Sequence, residues 1–371
     1  MSNISVPSNF ISLVPAAPAG TPVPFTSIAA APQENKLAVL ADSDFPEAQW
    51  NLGGVFLYDE SRTQLCDFAQ ENFWRARAVA ETHGAPPCAW TLEWYRSRPL
   101  IPPGDIAARL KALAGKPAAF VLSLDNPHVP EDTLNDAVGN TLLNYAAQMP
   151  RAAVSVASEP LAEHVRKNFP SLALRAGMNK VIAENGRGDL EYYRSAAKRY
   201  SVVAVHPDDA ADPAFMKTLA EEIGAEKFEI TVNDSCLRRC PVRERHLAAL
   251  AKIRRSPWDA APLRERHQAL AEAKCEEVSV ADGADAPRAA LLSREELRGL
   301  YALGFRRFRI QAETLRSEIA FFWSALGWLI SAKPEHWHYA GLIASSLITK
   351  IKEPVPVLPT GLAPFVKRKY D

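Results

Sequence analysis

The chain has 371 residues, of which 47% are hydrophobic and 23% are charged. A chain of this size and composition can bury a large core, either as one α/β barrel or as two ordinary domains. Lys plus Arg and Asp plus Glu both number 43, so the overall charge gives no strong signature of a protein that binds nucleic acid or anionic membranes. Five cysteines in so long a chain do not form a disulfide framework.

No targeting or membrane-spanning segment is predicted. Residues 1–20 lack a basic region followed by an apolar core, and the most apolar late segment, 319–332, is shorter than a membrane span. We therefore expect a cytoplasmic protein. Six prolines within residues 1–36 exclude a helix through this segment, although a short strand could cover residues 4–6.

From residue 36 onward, short β-branched and apolar runs alternate with helical patterns. Strands are predicted at 36–41, 54–58, 118–124, 152–157, 172–176, 201–205, 228–232 and 306–310, which makes residues 4–6 one strand more than a barrel needs. Helices are predicted at 68–82, 105–114, 134–148, 160–168, 190–199, 213–223, 243–253 and 294–302. Because parallel strands require long crossovers, this alternation predicts βαβ units. Their number favours a TIM-type (β/α)8 barrel, with an open doubly wound sheet as the alternative.

The predicted organisation is a proline-rich segment at 1–36, one barrel domain at 37–332 and an extension at 333–371. Residues 256–292 interrupt the alternation before the last strand, which predicts an excursion over one face of the barrel. The prolines after residue 353 predict that the extension wraps around the domain rather than forming another helical unit.

Polar side chains follow several predicted strands. In a parallel barrel the carboxyl ends of the strands converge on one face, where active sites of this fold lie. The candidate catalytic residues at these ends are His206, Asn233, Asp234 and Glu313. Asp and Asn are also the ordinary turn and helix-capping residues after a strand, so residue type alone does not separate catalysis from capping.

Two cysteines, Cys236 and Cys240, follow the predicted strand 228–232 and are separated by three residues. This spacing lets both thiolates reach one metal, and the arginines of the same stretch favour the thiolate form. The alternative is that they are buried free cysteines that pack as small hydrophobic residues.

Further ligands for such a site could come from His246 and Cys275, and Cys66 or Cys88 could also supply the fourth. For Cys66 and Cys88 themselves the buried, non-ligating interpretation is favoured. Zinc would make the site a tetrahedral structural clamp, whereas an iron–sulfur cluster would make it a redox or substrate-binding centre.

Several common enzyme motifs are absent from the sequence. It contains no G-x-x-x-x-G-K-[ST], no G-x-G-x-x-G after a strand, no H-E-x-x-H and no G-x-S-x-G. P-loop nucleotide hydrolysis, dinucleotide binding of the Rossmann type, zincin proteolysis and α/β-hydrolase chemistry therefore lose their usual support.

The stretch from about 118 to 313 combines Asn233-Asp234, the motif Cys236-x3-Cys240-Pro241-x-Arg243-x2-His246, a later Cys275 and a closing Gly304-Phe305-Arg306-Arg307-Phe308-Arg309-Ile310. In these features it resembles the collagenase-like U32 peptidase family. Members of that family have a TIM-type barrel, and several carry an iron–sulfur cluster on cysteines. The better-understood members act in oxygen-independent hydroxylation of RNA bases or quinone precursors.

The resemblance implies a 4Fe-4S cluster on Cys236, Cys240 and Cys275, with His246 or another cysteine as the fourth ligand. The chain departs from the family at its last strand, where Gln311-Ala312-Glu313 stands in place of the frequent Glu-Gly-Arg. It also has fewer cysteines in this region than a complete four-cysteine set.

Three functional hypotheses follow. The first is a U32-like enzyme of hydroxylase type, with a metal or cluster on cysteines, that acts on a small or base-like substrate. The second is a non-catalytic barrel with a structural zinc site that binds a protein partner or forms an oligomer. The third is a peptidase.

Overall fold

The structure is a computed structural model that describes residues 44–56, 79–92, 103–251, 271–273 and 289–311, together with 325, 328 and 329. Its strands are β1 (Gln49–Leu52), β2 (Val79–Gly84), β3 (Ala119–Leu124), β4 (Ala153–Val156), β5 (Ala173–Ala176), β6 (Val202–Ala204), β7 (Phe228–Thr231), β8 (Asn233–Leu237), β9 (Ala289–Leu291) and β10 (Arg307–Ile310). Eight of them close a barrel in the order β1-β10-β7-β6-β5-β4-β3-β2, and every neighbouring pair is parallel.

Helices alternate with the barrel strands, as expected for crossovers between parallel strands. Those in the described part of the chain are α1 (Pro103–Ala114), α2 (Ala137–Gln148), α3 (Glu159–Asn168), α4 (Met178–Ala183), α5 (Leu190–Arg199), α6 (Pro213–Glu222), α7 (Arg243–Ala251) and α8 (Arg294–Ala302). Their starts follow local chemistry. Asp136, Asp189 and Asp212 each accept a hydrogen bond from the first turn of their helix, and Ser293 and Glu296 form a capping box.

The predicted (β/α)8 barrel is confirmed, and the β8–β9 ribbon interrupts it before its last strand. The predicted strands from 118 onward coincide with β3 to β7 and β10, and the helices from 105 onward coincide with seven of the helices above within a few residues at their ends. The first two barrel strands were assigned wrongly. Residues 54–56 form a turn rather than part of a strand, and residues 79–82, predicted as the end of a helix, belong to β2.

Other predicted segments lie outside the described residues. These are the strand candidates 4–6 and 36–41, the extension 333–371, and the excursion 256–292 apart from residues 271–273 and 289–292. The proposed domain boundaries therefore stay predictions.

The hydrophobic core lies between the barrel wall and the helices. Side chains on a strand alternate between its two faces, and the outward set, such as Leu122 and Leu124 of β3 and Val154 and Val156 of β4, is fully buried in one cluster with helix residues. Burial of each such aliphatic side chain contributes about 1.5–3 kcal/mol. This outer layer therefore supplies the main driving force for closing the barrel.

The barrel interior is polar, whereas the interior of this fold is usually filled by branched aliphatic side chains. The buried or half-buried polar residues on the inward positions of the strands are Asn51, Glu81, His83, Ser123, Ser155, Arg175, Glu229, Thr231 and Arg309. Their contacts cross the barrel: Arg175 of β5 reaches Glu81 of β2, although β3 and β4 lie between these strands. Charges buried in this way are stable only when they are paired.

The carboxyl face of the barrel is covered by the segment that follows β7. β8 pairs with β9 in an antiparallel ribbon, and β9 lies at the end of the predicted excursion 256–292. Helix α7 packs against α4, and a second hydrophobic cluster joins the two to the end of β6 through Leu92, Met178, Ile182, Ala204, Leu247, Leu250 and Ala251. Within the described ranges, no helix is both long enough and apolar enough to cross a membrane.

Candidate functional site

The two predicted ligand cysteines lie next to each other on the covering segment. Cys236 is on β8, and Cys240 lies in the turn between β8 and α7. Both thiols are free, and a hydrogen bond links the two side chains. Cys236 is half-buried and Cys240 is buried, so the structure brings together the pair on which the metal-site prediction rests.

The turn between the cysteines has an unusual backbone conformation. Arg239 has φ of 52°, in the left-handed region that a residue with a Cβ adopts at a cost of about 1–3 kcal/mol. Its N–H donates a hydrogen bond of 2.7 Å to Oδ1 of Asp208, which lies in the loop after β6. A carboxylate from a neighbouring strand end thus holds the conformation that places Cys240 beside Cys236.

Arg243, at the start of α7, joins this turn to two carboxylates. Its guanidinium donates to Oδ2 of Asp234 at 2.6 Å, to Oδ1 of Asp208 at 3.3 Å and to the carbonyl of Leu237 at 2.6 Å. Asp234 and Arg243 are only 5% and 6% exposed. Charge-assisted hydrogen bonds are strong where water is excluded, so this cluster fixes both the start of α7 and the ribbon that carries Cys236.

The surroundings of the two thiols shift their pKa values in opposite directions. The pKa of Cys240 is lowered to about 6, first because the Cys236 thiol donates to it, and also because the N–H of Val242 and the charge of Arg243 favour the thiolate over the effect of burial. The pKa of Cys236 is raised by the same thiol–thiol hydrogen bond and by burial. Near neutral pH, the pair therefore consists of a Cys240 thiolate that accepts a hydrogen bond from the Cys236 thiol.

His206 lies beside the same cluster and is neutral near pH 7. Burial, followed by the charge of Arg243, lowers its pKa to about 4. Its Nδ1 accepts a hydrogen bond of 3.1 Å from the backbone N–H of Asp208, so the ring proton is on Nε2. The backbone N–H of His206 donates to the hydroxyl of Tyr193, which in turn donates to Asp209. A neutral imidazole in this position can donate a hydrogen bond through Nε2.

The two residues that open β8 have different roles. The side-chain amide of Asn233 makes two hydrogen bonds to the backbone of Gln311, at 2.9 and 2.7 Å, and so ties the ribbon to the end of β10. Asp234 faces Arg243 and also accepts a bond of 3.3 Å from the N–H of Cys236. The structure therefore groups Asp234 and His206 with the cysteines, while Asn233 is engaged in joining two strands.

The remaining predicted ligands are not grouped with the cysteine pair. His246 is half-buried on the first turn of α7, but within the described residues no third His, Cys, Asp or Glu ligand lies within 4.8 Å of both thiol groups. Cys88 lies in the main core, where burial raises its pKa to about 12. Cys66, Cys275 and Glu313 lie outside the described residues.

The sequence alone did not indicate a role for Asp208 or Arg243 at this site. Asp208 is one of the polar residues that follow the predicted strand 201–205, and Arg243 is one of the arginines close to the two cysteines. Only closure of the barrel brings the loop after β6 against the turn after β8. The single local signal was the density of charged residues around the two cysteines.

Comparison with known proteins adds little to this description. No family model and no curated protein matches the sequence. Among the solved structures that match is one described as that of the U32 peptidase Mk0906, with a TM-score of 0.40 and 14% sequence identity, over 71% of this chain and 92% of that chain. At this level of similarity the match carries no argument about family or activity, so the fold rests on the strand pairing itself.

Proposed function

We propose that the protein is a U32-like barrel enzyme in which Cys236 and Cys240 are two ligands of a metal centre on the carboxyl face, an iron–sulfur cluster rather than zinc. The observation that supports this proposal is the contact between two free thiols, one of which has a pKa of about 6. Thiolates are the ligands that iron–sulfur clusters and zinc prefer.

The described residues supply some, but not all, of the ligands that such a centre needs. The described residues supply two thiol groups in contact, and a cluster or a tetrahedral zinc site needs four ligands. Cys275 remains the proposed third ligand, and His246, Cys66 or another group the fourth. Arg243 would offset the negative charge of a thiolate-bound centre, and Asp208 would keep the turn in the conformation that presents both sulfurs.

The proposed reaction class is oxygen-independent hydroxylation or a related modification of a small or base-like substrate. A cluster would supply the redox chemistry when bound. Around it, the carboxylate of Asp234 could accept a hydrogen bond from the substrate and the Nε2–H of neutral His206 could donate one, and the low exposure of both side chains would limit competing reactions with water.

A second candidate function is that of a non-catalytic barrel with a structural zinc clamp that binds a partner. It is favoured because the ribbon and α7 cover the carboxyl face. His206 and Gln311, which follow β6 and β10, are each less than 9% exposed, and so is Asp234 of the ribbon. A substrate would have to reach them through an opening of this cover, whereas a clamp that fastens the cover needs none.

Metal analysis of protein purified without oxygen separates the candidates. We expect iron and acid-labile sulfide in stoichiometric amounts, which the double variant Cys236→Ser/Cys240→Ser loses. Cys88→Ala is the matched control, because this cysteine is buried in the core, and it should retain the metal. Stoichiometric zinc without iron that the double variant loses would favour the clamp. Metal content unaffected by the double variant would refute both, and turnover of casein or collagen by the freshly purified protein would favour a peptidase.

A further inference from the structure

A separate cluster of potential metal ligands lies inside the barrel. Glu81 and His83 come from β2, and Glu229 comes from β7. One donor atom from each of the three lies within 4.8 Å of the others. These strands are separated by β1 and β10 in the barrel order, so the cluster exists only because the barrel closes. It contains no residue of the cysteine site.

The spacing of the donor atoms is that of ligands around an ion. Nε2 of His83 lies 3.3 Å from Oε2 of Glu81 and 3.5 Å from Oε2 of Glu229. Both distances exceed the usual length of an N–H···O hydrogen bond of about 2.7–3.2 Å. Metal–ligand bonds of about 2.1 Å place neighbouring ligand atoms roughly 3.0–3.4 Å apart, which is close to the observed separations.

A fourth side chain, the amide of Asn51, contacts the cluster, and its oxygen makes no hydrogen bond within the described residues. Asn51 of β1 is fully buried, and its Nδ2 donates to Oε2 of Glu229 at 2.6 Å. Among the described residues, its Oδ1 has no hydrogen-bond partner. A buried acceptor without a donor costs about 1–3 kcal/mol. Rotation of the amide by half a turn exchanges the two atoms and brings this oxygen, in place of Nδ2, next to Oε2 of Glu229.

A neighbouring arginine orients one carboxylate of the cluster, and solvent can reach the cluster from the amino end of the barrel. Arg175 binds both oxygens of Glu81, with two bonds of 2.6 Å, and so orients this carboxylate as outer partners orient metal ligands. The side chains of Arg175 and Glu81 are each 12% exposed. Ala173, which precedes Arg175 on the same face of β5 and lies nearer the amino end of the barrel, is exposed. Water, and hence an ion, can approach from that end rather than through the covered carboxyl face.

We infer that this interior cluster binds a divalent transition-metal ion, with Glu81, His83 and Glu229 as ligands and Asn51 Oδ1 as a fourth. Carboxylate, imidazole and amide donors without thiolate suit Mn²⁺, Fe²⁺, Co²⁺ or Zn²⁺ and do not select soft ions such as Cu⁺. The imidazole proton is then on Nδ1, and Nε2 faces the ion. The ion takes the place of the long direct contacts between His83 and the two carboxylates.

Cobalt titration of the full chain tests this site apart from the cysteine site. In the background Cys236→Ser/Cys240→Ser, we expect one Co²⁺ per chain with visible d–d absorption and no near-ultraviolet thiolate-to-metal band. Replacing a ligand, in His83→Gln or Glu229→Gln, should lower the affinity at least about tenfold, since even loss of an outer partner costs about 10–100-fold. Ser123→Ala is the matched control, because this serine lies in the same interior outside the ligand set, and it should leave the affinity unchanged.

A gain-of-affinity variant keeps the test decisive if a ligand variant fails to fold. Asn51→Asp places a third carboxylate beside Glu229, which should destabilise the metal-free protein by repulsion and tighten Co²⁺ binding. The rise in melting temperature on adding Co²⁺ should then be larger than in the parent. The inference is overturned if Co²⁺ gives no d–d absorption, if the bound ion shows a thiolate band, or if Asn51→Asp and the ligand variants leave the affinity unchanged.

Discussion

Replacement of Arg243 by Met removes the side chain that joins Asp234, Asp208 and the carbonyl of Leu237. Asp208 keeps the N–H of Arg239 as a donor, so the main loss falls on Asp234. That carboxylate is 5% exposed and retains only a 3.3 Å bond from the N–H of Cys236 among the contacts described above. Breaking a buried ion pair from one side costs about 3–5 kcal/mol, and we expect the free energy of unfolding to fall by that amount.

Urea unfolding at neutral pH, followed by both circular dichroism and tryptophan fluorescence, measures this loss, and coincidence of the two curves supports two-state treatment. The variant Arg298→Met is the matched control, because Arg298 is 54% exposed and pairs with Asp44 at the surface. It should cost less than about 1 kcal/mol. Adding Asp234→Asn to Arg243→Met should recover part of the loss. If Arg243→Met costs no more than the surface control, the cluster is not the anchor of the turn and the reasoning fails.

Three further predictions concern pH, packing and thiol reactivity. Burial alone would raise the pKa of Glu159, but hydrogen bonds from neighbouring lysine, tyrosine and arginine side chains lower it to about 2 from 4.5. A depressed carboxyl pKa stabilises the fold above the unfolded value, so melting temperature should fall between pH 4.5 and about 2, and less steeply in Glu159→Gln. In Gly139→Ala, the added Cβ would meet the ring of Trp90 at 2.3 Å, and we expect a loss of about 1–3 kcal/mol in urea unfolding; an unchanged midpoint would show that the ring can move. With a pKa of about 6 against about 12, Cys240 of metal-free protein should react with iodoacetamide at pH 7 well before Cys88, as read by peptide mass spectrometry, and equal labelling would contradict the assigned thiolate.

The barrel could be predicted from the sequence because its outer layer follows simple rules. From β3 onward, the strands are short runs of β-branched and apolar residues between amphipathic helices, and the hydrophobic pattern reports the outward face that packs on those helices. β2 could not be predicted in this way. Its sequence, Val79–Gly84, places Glu81 and His83 at inward positions, so the run lacks the continuous apolar character of a buried parallel strand.

Only the part of the candidate site that comes from neighbouring residues in the sequence could be predicted. The spacing of Cys236 and Cys240 indicates two thiols on one turn, and the structure brings them into contact. The partners that fix this turn come from elsewhere: Asp208 follows β6, and Gln311 follows β10. Nothing in the sequence near the cysteines specifies these residues, because their proximity depends on the closure and register of the whole barrel.

The sequence also contains a signal for the interior cluster, namely charged residues within otherwise apolar strands. Glu229 and Arg309 each lie between two apolar residues of their strands, and Glu81 and Arg175 occupy corresponding inward positions elsewhere in the barrel. A charged residue at an inward position of a parallel strand must find a partner across the interior, so several such interruptions in different strands predict one another. The pattern indicates a charged interior, although it does not specify which charges meet.

The two sets of donors bear differently on metal content. Thiolates on the carboxyl face prefer zinc or iron–sulfur clusters, whereas the oxygen and nitrogen donors inside the barrel accept harder ions as well. A count of metal per chain therefore adds two sites of different chemistry, and zinc in particular could occupy either. Assignment has to come from the ligands: loss of metal in Cys236→Ser/Cys240→Ser reports the carboxyl face, and loss in Glu229→Gln reports the interior. If a single variant removes all the metal, the protein has one site, and the proposal for the other is wrong.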